Sequence, residues 1–455
     1  MKLLYAEDAR IYHHTQYKAE KYISAYLNTP LEELYGDFTD QDLTEHLGQF
    51  EEEIGIAYDG KQREAIFTFF HSDIMILTGG PGTGKTTVVR AMVELFRRIY
   101  PYYSISVCAP TGRAAKRLTE LTGAPASTIH RLLKWDLETN TFGYNINDPL
   151  LSDLVIIDEA SMVDQWMFYN LLSAGRNFKK ILIIGDEDQL PSVGIGAILR
   201  DLIESRRFPL VALDRVFRQK EGSAVIELAH KIKNDEEITF DYTKEVLFID
   251  ADPYAAKSYI LQLVNNAIDK GYDINDIQVL SPIYSGVCGI DSLNNYLQKA
   301  LNPADSHKRE LQVGFRTFRE GDKILQLKNQ PDDDVYNGDI GVVEAIDESE
   351  GTLTVHFDDD RRAVYLSSAL DEVDLAYCMS VHKSQGSEFP VLVMAVCGCP
   401  SMLQTRNLFY TALTRAQSLV VLVGEERIIQ NMVRNDRVSH RYTTLAERLY
   451  DGIGR

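Results

Sequence analysis

The stretch Gly79-Gly80-Pro81-Gly82-Thr83-Gly84-Lys85-Thr86 decides the reading of this chain. It lies between an apolar run, Ile74–Thr78, and a segment from Thr87 to Tyr100 whose apolar residues Val88, Met92, Leu95 and Ile99 recur at helical spacing. A buried strand, a glycine-rich turn and a helix start, in that order, make a phosphate cradle. The glycines let backbone N–H groups close around a β-phosphate, and the helix N-terminus adds partial positive charge. Lys85 supplies a mobile point charge, and the Thr86 hydroxyl is a ligand for Mg²⁺. The candidate nucleotide-binding residues of this loop are Gly82, Thr83, Gly84, Lys85, Thr86 and Thr87. A glycine-rich turn without a ligand is the bland alternative, and the strand and helix on either side argue against it.

Downstream, Leu154-Val155-Ile156-Ile157 ends at Asp158-Glu159, so two carboxylates emerge from an apolar strand. Alone, such a pair is as easily a helix cap. Beside a phosphate cradle it becomes a metal-holding Asp158 and a Glu159 that polarises an attacking water. Together the two motifs say nucleoside-triphosphate hydrolysis, by an ATPase or a GTPase, rather than dinucleotide binding.

The flanking texture sets the architecture. Ile74–Thr78, Ser104–Ala109, Leu154–Ile157 and Ile181–Ile184 are near-continuous apolar runs, as are Ile277–Pro282, Val391–Val396 and Leu419–Gly424. Strands without polar alternation are buried on both faces, which predicts two parallel sheets covered by helices, an α/β fold. From Phe318 to Asp371 the pattern changes to short strands, Lys323–Gln326, Gly341–Ile346, Leu353–Phe357 and Ala363–Leu366, separated by turn residues such as Asn337-Gly338 and Glu350-Gly351. That is hairpin chemistry, and it predicts a small β-barrel inserted in the second α/β domain. Trp135 to Pro149, with Asn140 and Gly143, predicts a smaller hairpin in the first. Ala6 to Leu47 reads as polar, partly amphipathic helix, and Glu51-Glu52-Glu53 as a solvated helix face.

Composition narrows the class. The 455 residues are 45% hydrophobic, too apolar for a disordered chain. Acidic residues outnumber basic ones by 67 to 47, a formal net charge of −20, which argues against a polycation that coats nucleic acid or anionic membrane and leaves room for a local basic groove. Five cysteines form no metal-spaced pairs, an unpaired count that fits a reducing cytosol. The most apolar stretch, Phe389 to Cys399, has about half the length of a membrane-crossing helix, and the first residues meet charge too early for a signal peptide.

A further strand end, Ile183-Ile184-Gly185-Asp186-Glu187-Asp188-Gln189-Leu190-Pro191, puts Gln189 where it can touch a γ-phosphate. Arg218 in Val216–Gln219 and Arg415 in Tyr410–Arg415 are, each alone, surface arginines. In order, Gln62, Gly79–Thr86, Ala109-Pro110-Thr111-Gly112-Arg113-Ala114-Ala115, Asp158-Glu159-Ala160-Ser161-Met162, Gly185–Pro191, Val216–Gln219, Ser380-Val381-His382-Lys383-Ser384-Gln385-Gly386 and Tyr410–Arg415 resemble the motifs of superfamily 1 helicases. They look most like the RecD-like group of superfamily 1B (RecD2 type), which moves 5′ to 3′ on single-stranded DNA. Asp188 to Gly194 and Val381 to Gly386 are the most specific parts, and the resemblance runs from Tyr58 to Gly424. It departs at the N-terminus, where many stand-alone RecD2 proteins carry a larger region before the motor.

The resemblance implies two RecA-like domains. One spans 56–212, with a hairpin at about 134–150; the other spans 213–317 and 372–455, interrupted by an SH3-like insertion at 318–371. An N-terminal helical segment, 1–55, precedes them. It implies ATP and Mg²⁺ as cofactors, with Thr86 and Asp158 as metal ligands and Gln62 as the adenine-recognising group. Gln189 becomes a γ-phosphate sensor, Arg218 and Arg415 become arginine fingers, and Gly386 and Glu388 lie near the γ-phosphate and ribose. Lys85, Asp158, Glu159, Gln189, Arg218 and Arg415 are then the catalytic set. The hairpin at Trp135–Pro149 resembles a strand-splitting pin, with a plain surface hairpin as its bland reading.

The expected partner is single-stranded DNA and its junctions with duplex. Candidate DNA contacts are Thr111 and Arg113, then Thr128, His130 and Arg131, then Ser380, His382 and Lys383, each set mixing hydroxyls and cations just past a strand. An accessory protein partner through the SH3-like insertion is a further expectation. Rival readings are a 3′-to-5′ helicase of the same superfamily, a DNA-stimulated ATPase that displaces proteins without unwinding, and a small-molecule kinase or GTPase switch.

Overall fold

In the computed structural model the described residues are 4–7, 10–36, 38–136, 138–215, 223–234, 236, 238, 245–358, 361–436 and 441–452. They form two compact units: Met1–Pro110, Ala114–Gln219 and Ser439–Arg455 make the first, Thr111–Arg113 and Lys220–Val438 the second. Residues 439–455, expected with the second RecA-like domain, group with the first.

The first unit is built on six parallel strands in the order Leu210–Leu213, Ile74–Gly79, Lys180–Gly185, Leu154–Ile157, Ile105–Ala109 and Ala126–Thr128. The apolar runs alternate between two covered faces. Met75, Leu77, Ile156, Leu182 and Ile184 pack with Leu43, Ile66, Phe69, Met92 and Phe96 of the helices Asp40–Ile54, Gly60–Phe70 and Lys85–Ile99. Ile74, Ile76, Val155, Ile157, Ile181 and Ile183 meet Ile23, Phe168, Leu171, Leu199 and Leu202 on the other side. Leu445 and Leu449 of the terminal helix Leu445–Asp451 complete that second layer. The edge strands Ala126–Thr128 and Leu210–Leu213 are short and half-exposed, and their sequences carry too few apolar residues to stand out.

The N-terminal stretch is not the single helical region expected. Leu4–Glu7 and Arg10–His13 pair as an antiparallel hairpin, followed by helices His14–Asn28 and Asp40–Ile54. Tyr5, Ile11 and Tyr12 favour strand, and Tyr5 stacks on Tyr17 with ring centroids 4.0 Å apart. Pro30 keeps Thr29 extended and ends the first helix. The acidic face of the second is not merely solvated: Glu51 pairs with Arg63 at 2.6 Å and Glu53 with Arg98 at 2.6 Å.

The second unit carries five parallel strands in the order Val246–Asp250, Ala416–Gly424, Phe389–Val396, Ile277–Ser281 and Cys378–Ser380. Its β-insertion is a five-stranded antiparallel sheet ordered Arg362–Tyr365, Thr352–Phe357, Ile340–Asp347, Lys323–Gln326 and Val373–Leu375, preceded by the hairpin Glu310–Val313/Arg316–Arg319. Fully buried Asp322 fastens it: the carboxylate accepts from Gln298 Nε2 at 2.6 Å, Asn302 Nδ2 at 2.7 Å, the Arg319 N–H at 2.7 Å and the Tyr377 hydroxyl at 3.0 Å. Among the described residues no helix is long and apolar enough to cross a membrane.

Candidate active site

The loop after Ile74–Gly79 has the backbone that its glycines allow. Gly82 and Gly84 sit at φ +73° and +84°, a region that a side chain would strain. A Cβ on Gly79 would lie 2.7 Å from both the Leu213 carbonyl and Thr83 Oγ1. Thr83 is buried and its hydroxyl donates to the Gly80 carbonyl at 2.9 Å, bracing the loop from inside. Lys85 begins the helix Lys85–Ile99 and lies back along the loop, its Nζ donating to the carbonyls of Gly79 and of Gly80, the latter at 2.9 Å. Thr86 follows in the first turn, and the carbonyl of Thr87 accepts the Tyr58 hydroxyl at 3.1 Å. Buried Tyr58 thus pins the helix start, a role for which the sequence offers only the proximity of Tyr58 to Gln62.

Sheet order brings the other groups to this loop. The strand Lys180–Gly185 lies between the phosphate-loop strand and Leu154–Ile157, pairing Thr78 with Gly185 and Ile157 with Ile183. Gly79, Asp158 and Asp186 therefore leave three neighbouring strand ends on one edge, strands being about 4.8 Å apart. The Asp158 N–H donates to the Cys108 carbonyl at 2.9 Å and its Oδ1 accepts the Glu159 N–H at 2.8 Å. Burial, and then the negative charge of Glu159, push the Asp158 carboxyl up to about 6, while Lys85 and Arg117 pull it down. Glu159 itself is held at φ +50°, a strained non-glycine conformation worth about 1–3 kcal/mol. Gln189 is buried, its Nε2 3.3 Å from Asp186 Oδ2.

The donor set fits a metal–nucleotide complex. The buried Ser161 hydroxyl, two residues past Glu159, has no hydrogen-bond partner among the described residues, and an unmet buried polar group is destabilising by about 1–3 kcal/mol unless a ligand supplies the bond. Buried Gln62 uses its side-chain carbonyl to cap Gly60–Phe70, accepting the Asp59 N–H at 3.1 Å, so its amide nitrogen is the half left for a base. The raised Asp158 carboxyl carries a stability prediction for the metal-free protein. Ionised at neutral pH, it opposes folding, and the opposition fades as pH falls through about 6 toward its unfolded value. Asp158→Asn in chelator is expected to melt higher at pH 8, roughly 2–4 °C for each kcal/mol relieved, with the gap narrowing at pH 5 and vanishing only near the unfolded carboxylate value of about 4; a gap of the same size at pH 8 and pH 5 would contradict it.

In the second unit, Arg415 is buried at 4% exposure, and its guanidinium donates to the Thr411 carbonyl at 3.2 Å, the Ser387 carbonyl at 3.2 Å and Thr414 Oγ1 at 3.2 Å. Gly386, at φ +75°, closes the turn that follows Cys378–Ser380, and Glu388 accepts from Gln417 Nε2 at 3.3 Å. Ser380 Oγ accepts the Lys383 N–H at 3.2 Å, Lys383 Nζ lies 5.9 Å from the Tyr284 ring centre, and His382 is exposed. Arg218 lies outside the described residues.

The remaining expected DNA contacts follow strands away from the phosphate loop. Thr111 and Arg113, counted with the second unit, come after Ile105–Ala109. Thr128, His130 and Arg131 follow the edge strand Ala126–Thr128. Thr128 is buried and caps the short helix Ile129–Leu132, accepting the Arg131 N–H at 3.1 Å. His130 is half-buried, 6.1 Å between ring centres from both Trp135 and Phe142, and desolvation lowers its pKa, so it is neutral at pH 7. In the hairpin Trp135–Asp136 pairs with Thr141–Phe142, with Asn140 at φ +52° in the turn, and the pairing continues as the Gly143 N–H donates to the Lys134 carbonyl at 3.0 Å and the Tyr144 N–H to the Leu133 carbonyl at 3.1 Å. Trp135 and Phe142 pack on Trp166 at 5.5 and 5.1 Å. Nothing in the sequence linked Trp166 to the hairpin.

Residues 62–195 match the AAA domain model, residues 293–357 the SH3 domain of ATP-dependent RecD-like DNA helicases, and residues 375–423 the UvrD-like helicase C-terminal domain. The chain is 34% identical over 378 residues to the ATP-dependent RecD2 DNA helicase of Deinococcus radiodurans, covering 83% of this chain and 50% of that protein. It is 30% identical over 429 residues to the RecBCD enzyme subunit RecD of Mycolicibacterium smegmatis, covering 86% of this chain and 74% of that one. It thus spans about half the length of the first relative and about three quarters of the second. A Bacteroides Pif1 bound to single-stranded DNA shares the fold with a TM-score of 0.52 at 19% identity, over 88% of this chain and 98% of that one. A Pif1 helicase structure addressing unwinding of forked duplex DNA does so at 0.51 and 21%, over 81% and 92%. With a P-loop, an Asp-Glu pair and a glutamine on three adjacent strand ends, and with a RecD relative 30% identical and covered to about three quarters of its length, the chain belongs to the RecD-like helicase family.

Proposed function

We propose that the chain is an ATP- and Mg²⁺-dependent DNA helicase that moves 5′ to 3′ along single-stranded DNA and opens duplex, acting in the cytoplasm in repair or recombination. The observation that carries the reading is the convergence of Lys85, Asp158, Glu159 and Gln189 on one sheet edge in the first unit. Backbone N–H groups from Gly82 to Thr87 receive the phosphates, and Lys85 leaves its loop carbonyls to meet their charge. Thr86 and Asp158 would hold Mg²⁺, which when bound neutralises charge on the transferring phosphoryl group. Glu159 orients the attacking water, its strained backbone fixing where the carboxylate points. Gln189 registers the γ-phosphate, Gln62 meets the adenine, Gly386 and Glu388 lie by the γ-phosphate and ribose, and Arg218 and Arg415 are the fingers.

On the DNA side, hydroxyls and cations at Thr111, Arg113, Thr128, Arg131, Ser380, His382 and Lys383 suit sequence-tolerant phosphate contact. Neutral His130, within the Trp135–Phe142–Trp166 cluster, suits base stacking instead, worth about 1–3 kcal/mol per base. The hairpin then acts as the pin, and the SH3-like insertion offers a surface for an accessory protein. The 5′-to-3′ direction rests on the family, whose relatives include a RecD2 helicase and RecD subunits.

Duplexes with a single-stranded tail on one end only test the proposal. With ATP, a 5′-tailed duplex is expected to open and a 3′-tailed one to stay closed, and deleting the turn between Trp135 and Phe142 is expected to suppress unwinding at least tenfold with ATP turnover kept. Opening only the 3′-tailed duplex would reverse the polarity. Full DNA-stimulated turnover with neither duplex opened would make the chain a protein-displacing translocase.

A further inference from the structure

The loop that follows Gln189, Leu190-Pro191-Ser192-Val193-Gly194-Ile195-Gly196, is gripped from two sides within the first unit. On one side the Gln165 N–H donates to the Ile195 carbonyl at 2.9 Å, and Gly194 lies so close to Asp164 that a Cβ there would fall 1.9 Å from Asp164 Oδ2. On the other side stands Arg441. Its Nη1 donates to Ser192 Oγ at 3.1 Å, to the Gly196 carbonyl at 2.6 Å and to the Gly194 carbonyl, and its Nη2 donates to the Ser192 carbonyl. One guanidinium thus holds three carbonyls and a hydroxyl within five residues of chain. No carboxylate among the described residues is ion-paired with it, so its donors serve the backbone of this loop.

Arg441 is itself firmly placed. Thr443 Oγ1 lies 2.9 Å from Glu20 Oε1 and 2.9 Å from Asp201 Oδ2, and the Thr444 hydroxyl donates to Glu20 Oε2 at 2.6 Å. Leu445 and Leu449, both fully buried, sink the following helix into the core beside Ile23 and Leu202. In the chain, Arg441 comes seven residues after Arg434, which ends the helix Glu426–Arg434 of the second unit. A planar fork of five donors anchored at a rigid root suits the fixing of one loop conformation, which a flexible ammonium would do poorly.

We propose that Arg441 is a positioning residue for ATP hydrolysis, setting the Leu190–Gly196 loop so that Gln189 meets the γ-phosphate. Arg441 and its anchoring neighbours Thr443 and Thr444 are then a working part of the motor. This rests on the reading of Gln189 as the γ-phosphate group. A regulatory consequence follows: whatever displaces the segment slows hydrolysis without occupying the nucleotide site.

The test uses the full chain with Arg441→Ala, Arg441→Lys, Gln189→Ala and, as a control in the same segment, the surface change Tyr450→Ala. Turnover of ATP with saturating single-stranded DNA is measured alongside KM for ATP, melting temperature and tryptophan emission on binding a non-hydrolysable ATP analogue. The chain has only two tryptophans, Trp135 and Trp166, and Trp166 adjoins Gln165, which bonds the loop. The unaltered protein is expected to change its emission on binding the analogue; Arg441→Ala is expected to lose that change and to lower kcat at least tenfold with KM within twofold. Arg441→Lys should regain only part of kcat, and Tyr450→Ala should match the unaltered protein. A kcat within twofold for Arg441→Ala would overturn the proposal. So would a lysine variant that is fully active while the alanine variant is unfolded. If Gln189→Ala leaves turnover intact, the sensor reading itself has failed, and a loss in Arg441→Ala would then contradict the route through Gln189.

Discussion

Arg415→Ala is expected to cut DNA-stimulated ATP turnover by about 10³–10⁵-fold, equivalent to roughly 4–7 kcal/mol of barrier, while nucleotide affinity changes severalfold at most. The physical ground is the state of the guanidinium. It is buried, held by the carbonyls of Thr411 and Ser387 and by Thr414 Oγ1, and none of the described carboxylates pairs with it. A buried cation left with dipoles rather than a counter-charge is preorganised to meet developing negative charge, because no ion pair must first be broken. Its neighbours are the helix Arg406–Leu413 and the turn after Gly386, so its position depends on the fold of the second unit. Arg415→Lys should recover little, since one ammonium cannot satisfy three separated acceptors and also reach a phosphate. Turnover measured at saturating ATP and DNA, with affinity from a fluorescent nucleotide, separates the two effects. Near-normal turnover for Arg415→Ala would remove the finger role.

The second large effect belongs to Lys85. Lys85→Ala is expected to lower turnover by at least about 10²–10³-fold and to abolish unwinding, since the helix loses its mobile positive charge at the phosphates. The fold should survive. Alanine is the best helix former, so the helix Lys85–Ile99 keeps its first turn. DNA binding, followed by anisotropy of a labelled strand, should remain detectable because its candidate residues follow other strands. Unwinding that persists in Lys85→Ala would refute the nucleotide assignment outright.

What could be read from the sequence was whatever depends on local chemistry or on continuous burial. The phosphate loop is legible because its glycines are forced by φ near +73° and +84°, and the central strands because both faces are covered and all but Thr78 and Lys180 are apolar or glycine. The insertion strands were visible from alternation and turn residues. Edge strands such as Ala126–Thr128 and Val373–Leu375 were not, since three residues are too short a run to show a period. The N-terminal hairpin was missed because Tyr5 is stabilised by Tyr17, ten residues beyond the hairpin's first strand.

The site divides along the same line. Lys85, Thr86, Asp158, Glu159 and Gln189 stand in motifs, so their strand ends could be named in advance, and sheet order then made them neighbours. Thr128 and Gln62 turned out to have capping duties, which spacing alone does not distinguish from ligand contact. Arg441 carried no signal, because its partners lie 245–249 positions earlier and, apart from the Ser192 hydroxyl, are carbonyls, which leave no trace in side-chain identity.

ATP turnover of the unaltered protein, with and without single-stranded DNA, tests the motor most directly. The expected result is slow hydrolysis in the absence of DNA and a rise of tenfold or more as strand is added, saturating with DNA length and lost in Glu159→Gln. Turnover that is brisk without DNA and indifferent to its addition would contradict a motor that couples the phosphate site to a strand.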